Sequence, residues 1–180
     1  MFKKSVLHLS LVAALLSTSG VVFAATAGTS LPVSASVSKN CSISTTGAIT
    51  FGAYDPVGAN AVAALNTSGQ VSIACSKNSS GLTIGMDDGT HVSGTQRQIL
   101  GGVSAENLQY NLFQPPSNLP NTACTFPGTT PWSAAGAGLM ALSNPPSKAA
   151  RVYNVCGTIP GGQDVAVDLY ADTIIATINF

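Results

Sequence analysis

Apolar residues recur at every second position in one segment after another of this chain, the period of a strand with one buried face. Leu31, Val33, Ala35 and Val37 alternate with Pro32, Ser34, Ser36 and Ser38. Val71, Ile73 and Cys75 form a second such set, Leu82, Ile84 and Met86 a third, and Leu108, Tyr110 and Leu112 a fourth. Towards the end Val165, Val167 and Leu169 share one phase while Ile174, Ala176, Ile178 and Phe180 share the other. A bulge or break between Tyr170 and Asp172 would reconcile the two phases. Turn chemistry separates the sets at Asn78-Ser79-Ser80-Gly81, Asp87-Asp88-Gly89 and Gly101-Gly102, and Asp88-Gly89 has the composition of a tight hairpin turn. No stretch has a convincing helical period. The expectation is an all-β fold, an antiparallel β-sandwich of short strands.

Charge excludes several function classes. Only 8% of the 180 residues are charged, seven basic against seven acidic. With no run of Lys or Arg after residue 4, the chain lacks the electrostatic footing of a nucleic-acid binder, so no nucleic-acid partner is expected. Catalysis is poorly provided for, because His91 is the one imidazole outside an N-terminal leader that contains His8. We read His91 as a solvated loop residue, and Asp164, Asp168 and Asp172 as solvated strand and turn positions. Gly161-Gly162 is a loop rather than a phosphate cradle, since no helical pattern follows it. No catalytic residue, cofactor or metal site is expected.

Residues 1–24 have the pattern of a secretory signal: Lys3 and Lys4, an apolar run from Val6 to Leu16 interrupted only by His8 and Ser10, and Val22-Phe23-Ala24 before the expected cleavage. The apolar run is shorter than the roughly 18 to 20 residues of a bilayer span. All four cysteines, Cys41, Cys75, Cys124 and Cys156, follow the leader, and an even number in an exported chain implies two disulfides. Three pairings are possible, and the sequence alone does not choose among them. We favour Cys41 with Cys75 and Cys124 with Cys156, because each closes a loop of about 30 residues between neighbouring β segments, worth roughly 3 to 4 kcal/mol in chain entropy. No C-x-x-C or C-x-x-H spacing suggests a metal.

Two stretches depart from regular alternation. Pro32 lies on the outward phase of the first stripe, so that strand should be an edge, a first residue, or a strand that pairs outside its own domain. From Gln114 to Lys148 seven prolines are scattered through a Gly, Ala and Ser background. This predicts a long irregular connection pinned by Trp132 and Cys124, with one or two short edge strands.

Several phrases carry a family resemblance. Phe51-Gly52-Ala53-Tyr54, Val71-Ser72-Ile73-Ala74-Cys75, Arg97 followed by Asn107 to Phe113, and above all Tyr170-Ala171-Asp172-Thr173-Ile174-Ile175-Ala176-Thr177-Ile178-Asn179-Phe180 resemble the spore coat protein U family, which includes the Csu-type pilins of the archaic chaperone-usher pathway. The resemblance runs from about Leu31 to Phe180.

It implies an immunoglobulin-like sandwich that lacks its last strand and is completed by donor-strand complementation. In this reading residues 25–40 are a donor segment presenting Leu31, Val33, Ala35 and Val37, and residues 41–180 are the pilin domain. Ile174, Ala176, Ile178 and Phe180 are expected along the C-terminal edge of the acceptor groove. The implied partners are a periplasmic pilus chaperone, an outer-membrane usher and neighbouring pilin subunits, in a homo- or heteropolymer. The implied location is the cell surface, reached through the periplasm, and the implied role is adhesion and biofilm formation. The alternative is a self-contained secreted coat or matrix protein in which residues 25–40 pair within their own domain.

Overall fold

Strand structure begins at the first cysteine. The computed structural model describes residues 23–180, so the expected signal at 1–24 lies, but for its last two residues, outside the described residues. It divides the chain into a unit ending at Ser36 and a unit Val37–Phe180. In the first unit the described residues form no strand, and Leu31 and Val33 are 84% and 90% exposed. Val37, just inside the second, is equally exposed and also outside any strand. The alternating stripe therefore has no ladder. Strands are stabilised by cross-strand pairs, and this one has no cross-strand partner among the described residues.

The second unit contains eleven strands: β1 (Cys41–Gly47), β2 (Leu65–Cys75), β3 (Thr83–Met86), β4 (Val92–Ser93), β5 (Gln96–Gly101), β6 (Asn107–Gln109), β7 (Asn111–Phe113), β8 (Met140–Ala141), β9 (Arg151–Ile159), β10 (Tyr170–Ala171) and β11 (Ala176–Asn179). A single 3-10 turn, Gly136–Gly138, interrupts them. Every pairing between strands is antiparallel. One layer is the sheet β1-β2-β9-β7. Facing it across the core are two further sheets, the four-stranded β10-β5-β4 with β6 on β5, and the three-stranded β11-β3-β8.

The core is the sum of the inward phases. Val71, Ile73 and Cys75 from β2, Tyr153 and Val155 from β9, Ile84 and Met86 from β3, and Leu108, Tyr110 and Leu112 around β6 and β7 are all buried together. Apart from the β9 pair, these belong to sets that the alternation marks. Trp132 is also buried, and the connection from Gln114 onward holds β8 and the 3-10 turn as its regular structure. The disulfides join Cys41 to Cys75 and Cys124 to Cys156.

Two expectations need correction. Asp88-Gly89 does not close a hairpin, because β3 pairs with β11 and β8 while β4 pairs with β5. The chain changes sheet there, with Gly89 at φ 85°, and the tight turn falls instead at Gly94-Thr95 between β4 and β5. The segment Val165 to Leu169 is not a strand, and Val167 and Leu169 point to solvent. Its backbone is held by side-chain acceptors rather than by a ladder, as described below.

Buried Arg97 fixes the change of sheet. Its Nε donates to the Asp87 carbonyl at 3.0 Å, and Nη2 donates to the carbonyls of Asp87 at 2.6 Å, Trp132 at 3.1 Å and Met86 at 3.3 Å. A charge removed from water needs such partners. Here the partners are carbonyls at the end of β3 and on the Trp132 connection, so one side chain ties both to β5.

Candidate functional site

The two layers do not close along one side. β1 pairs with β2 and has no other partner, so it is an edge; β10 and β11 are likewise edges of their sheets. β1 and β11 approach one another without pairing. Between these edges lies a cleft of about 930 Å3. Its floor includes the core residues Val71, Met86, Leu108, Leu112 and Val155, and its lips are formed by Thr45 to Tyr54 on one side and Val165 to Ala176 on the other.

Each lip has a local cause. After Gly47 the chain leaves the ladder with β2 and runs on to Tyr54 without joining a strand. Two glycines seat it: a Cβ on Gly69 would come within 2.5 Å of Ile49 Cγ1, and one on Gly157 within 2.9 Å of Phe51 Cζ. These close approaches require glycine on β2 and β9. Phe51 then meets Tyr110 edge-on, with ring centroids 6.2 Å apart. Beyond it the Tyr54 hydroxyl donates to the Pro160 carbonyl at 3.0 Å and accepts from the Gln163 N–H at 2.9 Å, joining the first lip to the start of the second.

Carboxylates hold the second lip; Asp164 is exposed, as expected of a solvated position, whereas the Asp172 side chain is buried and corrects that expectation. Asp168 Oδ2 accepts from the N–H groups of Val103 and Ser104 at 2.8 and 2.7 Å and from the Ser104 hydroxyl at 2.8 Å. Glu106 accepts from the Ala166 N–H at 2.6 Å. Asp172, whose side chain is 4% exposed, accepts from the Tyr110 hydroxyl and the Thr90 hydroxyl, both at 2.6 Å, and from the Thr90 and His91 N–H groups. His91 Nδ1 lies 3.1 Å from the same carboxylate, so His91 is a partner of Asp172 rather than a free loop residue. This anchoring of Asp172 makes the break between the two C-terminal phases: β10 ends at Ala171, and the ladder resumes at Ala176.

These contacts set the protonation of the groups. Burial works to raise the Asp172 pKa, but hydrogen bonds from Thr90, Tyr110, the Thr173 backbone and His91 outweigh it and hold the carboxyl below its ordinary value. Burial first, and the Asp172 carboxylate next, push Tyr110 well up, so it remains a donor. Hydrogen bonds from the Ser104 and Val103 backbones and the Ser104 hydroxyl lower Asp168 to about 2. A depressed carboxylate adds stability above its unfolded pKa, near 3.9, and that stability is lost as the pH falls through the folded value. The urea midpoint should therefore be level above about pH 5 and fall between about pH 4 and pH 2. Asp168→Asn should flatten that fall, and an unchanged slope in the variant would contradict this assignment.

The cleft gathers only part of the expected acceptor edge. Ile174 and Ala176 line it. Ile178 packs against the core from β11, opposite Ile84. Phe180 follows the last strand and is 49% exposed, so it does not line the cleft. The first lip, with Ile49, Phe51 and Tyr54, was not among the expected site residues. The alternation Ile49, Phe51, Ala53 was available as a signal, within and just before the motif Phe51 to Tyr54.

Chemically the cleft offers apolar side-chain seats between two strand edges. An unpaired edge presents backbone N–H and C=O groups in a row, so the fitting occupant is an extended segment with alternate apolar side chains. Among the described residues no group of three or more His, Cys, Asp or Glu is placed to hold a metal ion.

Comparison with known proteins adds three findings. Residues 27–177 match the Spore Coat Protein U domain family. Protein U of Myxococcus xanthus is 30% identical over 168 residues, covering 87% of each chain. A chain in the crystal structure of the CsuC-CsuE chaperone-tip adhesion subunit pre-assembly complex, from the archaic chaperone-usher Csu pili of Acinetobacter baumannii, superposes with a TM-score of 0.53 at 18% identity over 80% of the present chain. The present chain spans 40% of the length of that one.

Proposed function

The chain belongs to the Spore Coat Protein U domain family, and on that footing we propose that it is a structural subunit of a chaperone-usher surface pilus, assembled by donor-strand exchange. The observation that carries this reading is the coexistence of an open apolar cleft between unpaired edges and an apolar stripe with no ladder. One is an acceptor and the other a donor of matching period. A periplasmic chaperone first fills the cleft, and an outer-membrane usher passes the subunit on. The Leu31 to Val37 segment of a neighbouring subunit then replaces the chaperone strand.

Burial of Leu31, Val33 and Val37 contributes roughly 1.5 to 3 kcal/mol each, and Ala35 less. Ladder bonds add to this and pair backbone groups at both edges. Each subunit donates at one place and accepts at another, so the contact is heterologous and grows into a fibre. The exported fibre supports adhesion and biofilm formation at the cell surface.

The experiment is a sizing of the purified chain without chaperone. Linear ladders or aggregates are expected, because an open apolar edge recruits other strands. A monodisperse monomer would favour the self-contained coat or matrix protein instead.

A further inference from the structure

Resting on the donor reading, one further property of the joint can be drawn from the register of β1. In a fibre held together by residues 31–37, tension enters each subunit through the residues just before Cys41. β1 is also a wall of the cleft that holds the next subunit's strand. Tension on the donor end of a subunit therefore pulls on its own acceptor wall.

An edge strand pulled from its end opens one pair at a time, and each ladder hydrogen bond offers a net resistance of only about 1 kcal/mol. The first pair exposed to that load is Cys41 with Cys75, and it is a disulfide. Cys75 is the last residue of β2, an 11-residue strand paired with β1 on one side and β9 on the other. Load reaching Cys41 thus passes covalently from an edge strand to a central one.

Weaker fasteners precede the disulfide. The Asn40 carbonyl accepts from the Ser76 N–H at 2.9 Å, and the Asn40 N–H donates to Ser76 Oγ at 3.1 Å. The Ser38 carbonyl accepts from Ser76 Oγ at 3.2 Å, and Lys39 Nζ donates to the Ser80 carbonyl at 3.3 Å. All of these attach residues 38–40 to the segment that follows Cys75. They give way first, and the covalent bond stops the opening.

We propose that the Cys41–Cys75 disulfide is a tension clamp, which keeps β1 in place as a cleft wall while the fibre bears load. The Cys124–Cys156 disulfide joins the proline-rich connection to β9 and lies away from this path.

Pulling single fibres tests the clamp. Wild-type and C124S/C156S fibres should reach the same extension per subunit and separate at a joint with β1 still in place. C41S/C75S fibres should lengthen by up to about 25 Å more per subunit, as the seven residues of β1 run out at roughly 3.3 to 3.6 Å each, and then part at lower force. Where the C41S/C75S chain does not assemble, C124S/C156S fibres pulled before and after a reductant give the same comparison. Identical traces with and without the Cys41–Cys75 bond would overturn the clamp while leaving strand exchange intact. Absence of fibres from wild-type subunits supplied with chaperone and usher would instead remove the donor reading, and the clamp with it.

Discussion

Removal of residues 25–37 should stop fibre growth at the truncated subunit while leaving its folded body and its capture by chaperone unchanged. The described residues of this stretch form no strand, and Leu31, Val33 and Val37 are exposed, so little folded-state stability depends on them. Ending the deletion before Ser38 retains the hydrogen bond from Ser76 Oγ to the Ser38 carbonyl. The lost joint carries several apolar side chains at roughly 1.5 to 3 kcal/mol each, with ladder bonds besides, and each 1.4 kcal/mol is a factor of ten in affinity. Further elongation from a truncated subunit should therefore be undetectable rather than reduced. Electron microscopy of cells expressing it as the sole copy should show no fibres, with the chaperone complex still recoverable. Val33→Asp, which would place a carboxylate in the apolar cleft without shortening the chain, should behave alike. Fibres of normal length from either altered chain would contradict the donor assignment.

Arg97→Ala should be the most damaging single substitution in the body of the subunit. Arg97 is 5% exposed, and its guanidinium donates to the carbonyls of Met86, Asp87 and Trp132. Truncation leaves those acceptors without their donors in the protein interior. It also removes the charge that faces Asp88 at 3.4 Å. A buried acceptor left without its donor costs about 1 to 3 kcal/mol, and Arg97 serves three, so the loss is a large share of a domain stability that is typically about 5 to 15 kcal/mol. Urea unfolding of the donor-complemented subunit should register that loss. Lys39→Ala, which removes an exposed hydrogen bond, should change stability by less than about 0.5 kcal/mol. Equal effects from the two substitutions would show that Arg97 is not the tie between the sheets.

The parts of the fold legible in the sequence are those where a strand buries one face only. Val71 to Cys75 and Leu108 to Leu112 alternate because their other face is less buried, Leu82 to Met86 alternates because Thr83 and the small Gly85 separate its apolar side chains, and all three sets entered the core. β9 was not legible. It lies between β2 and β7, and its inward set Tyr153, Val155, Gly157 and Ile159 includes a glycine, while Val152 and Cys156 put apolar residues on the other phase, so the sequence masks the period of two. β1 was missed for the opposite reason: Cys41 to Gly47 is an edge whose apolar content, apart from its cysteine, is Ile43. Of the cleft, the second lip was read in part, since Ile174 and Ala176 line it and Phe180 does not. The carboxylates show what alternation leaves out. Asp168 and Asp172 look like solvated breaks in a strand, yet their positions are set by hydrogen bonds from Ser104, Thr90 and Tyr110, distant in sequence and without a local signature.

The shape of the cleft and the freedom of the stripe converge on a single physical claim, that the sandwich is one strand short and takes the missing strand from residues 31–37. The direct measurement appends a second copy of residues 25–40 after Phe180 through a flexible linker, and compares thermal unfolding with that of a chain carrying a scrambled copy. The added strand should raise Tm by upwards of about 15 °C, the equivalent of roughly 5 kcal/mol for a domain of this size, and should leave the chain monomeric. Equal Tm for the two chains, both monomeric, would mean that the sandwich is already complete.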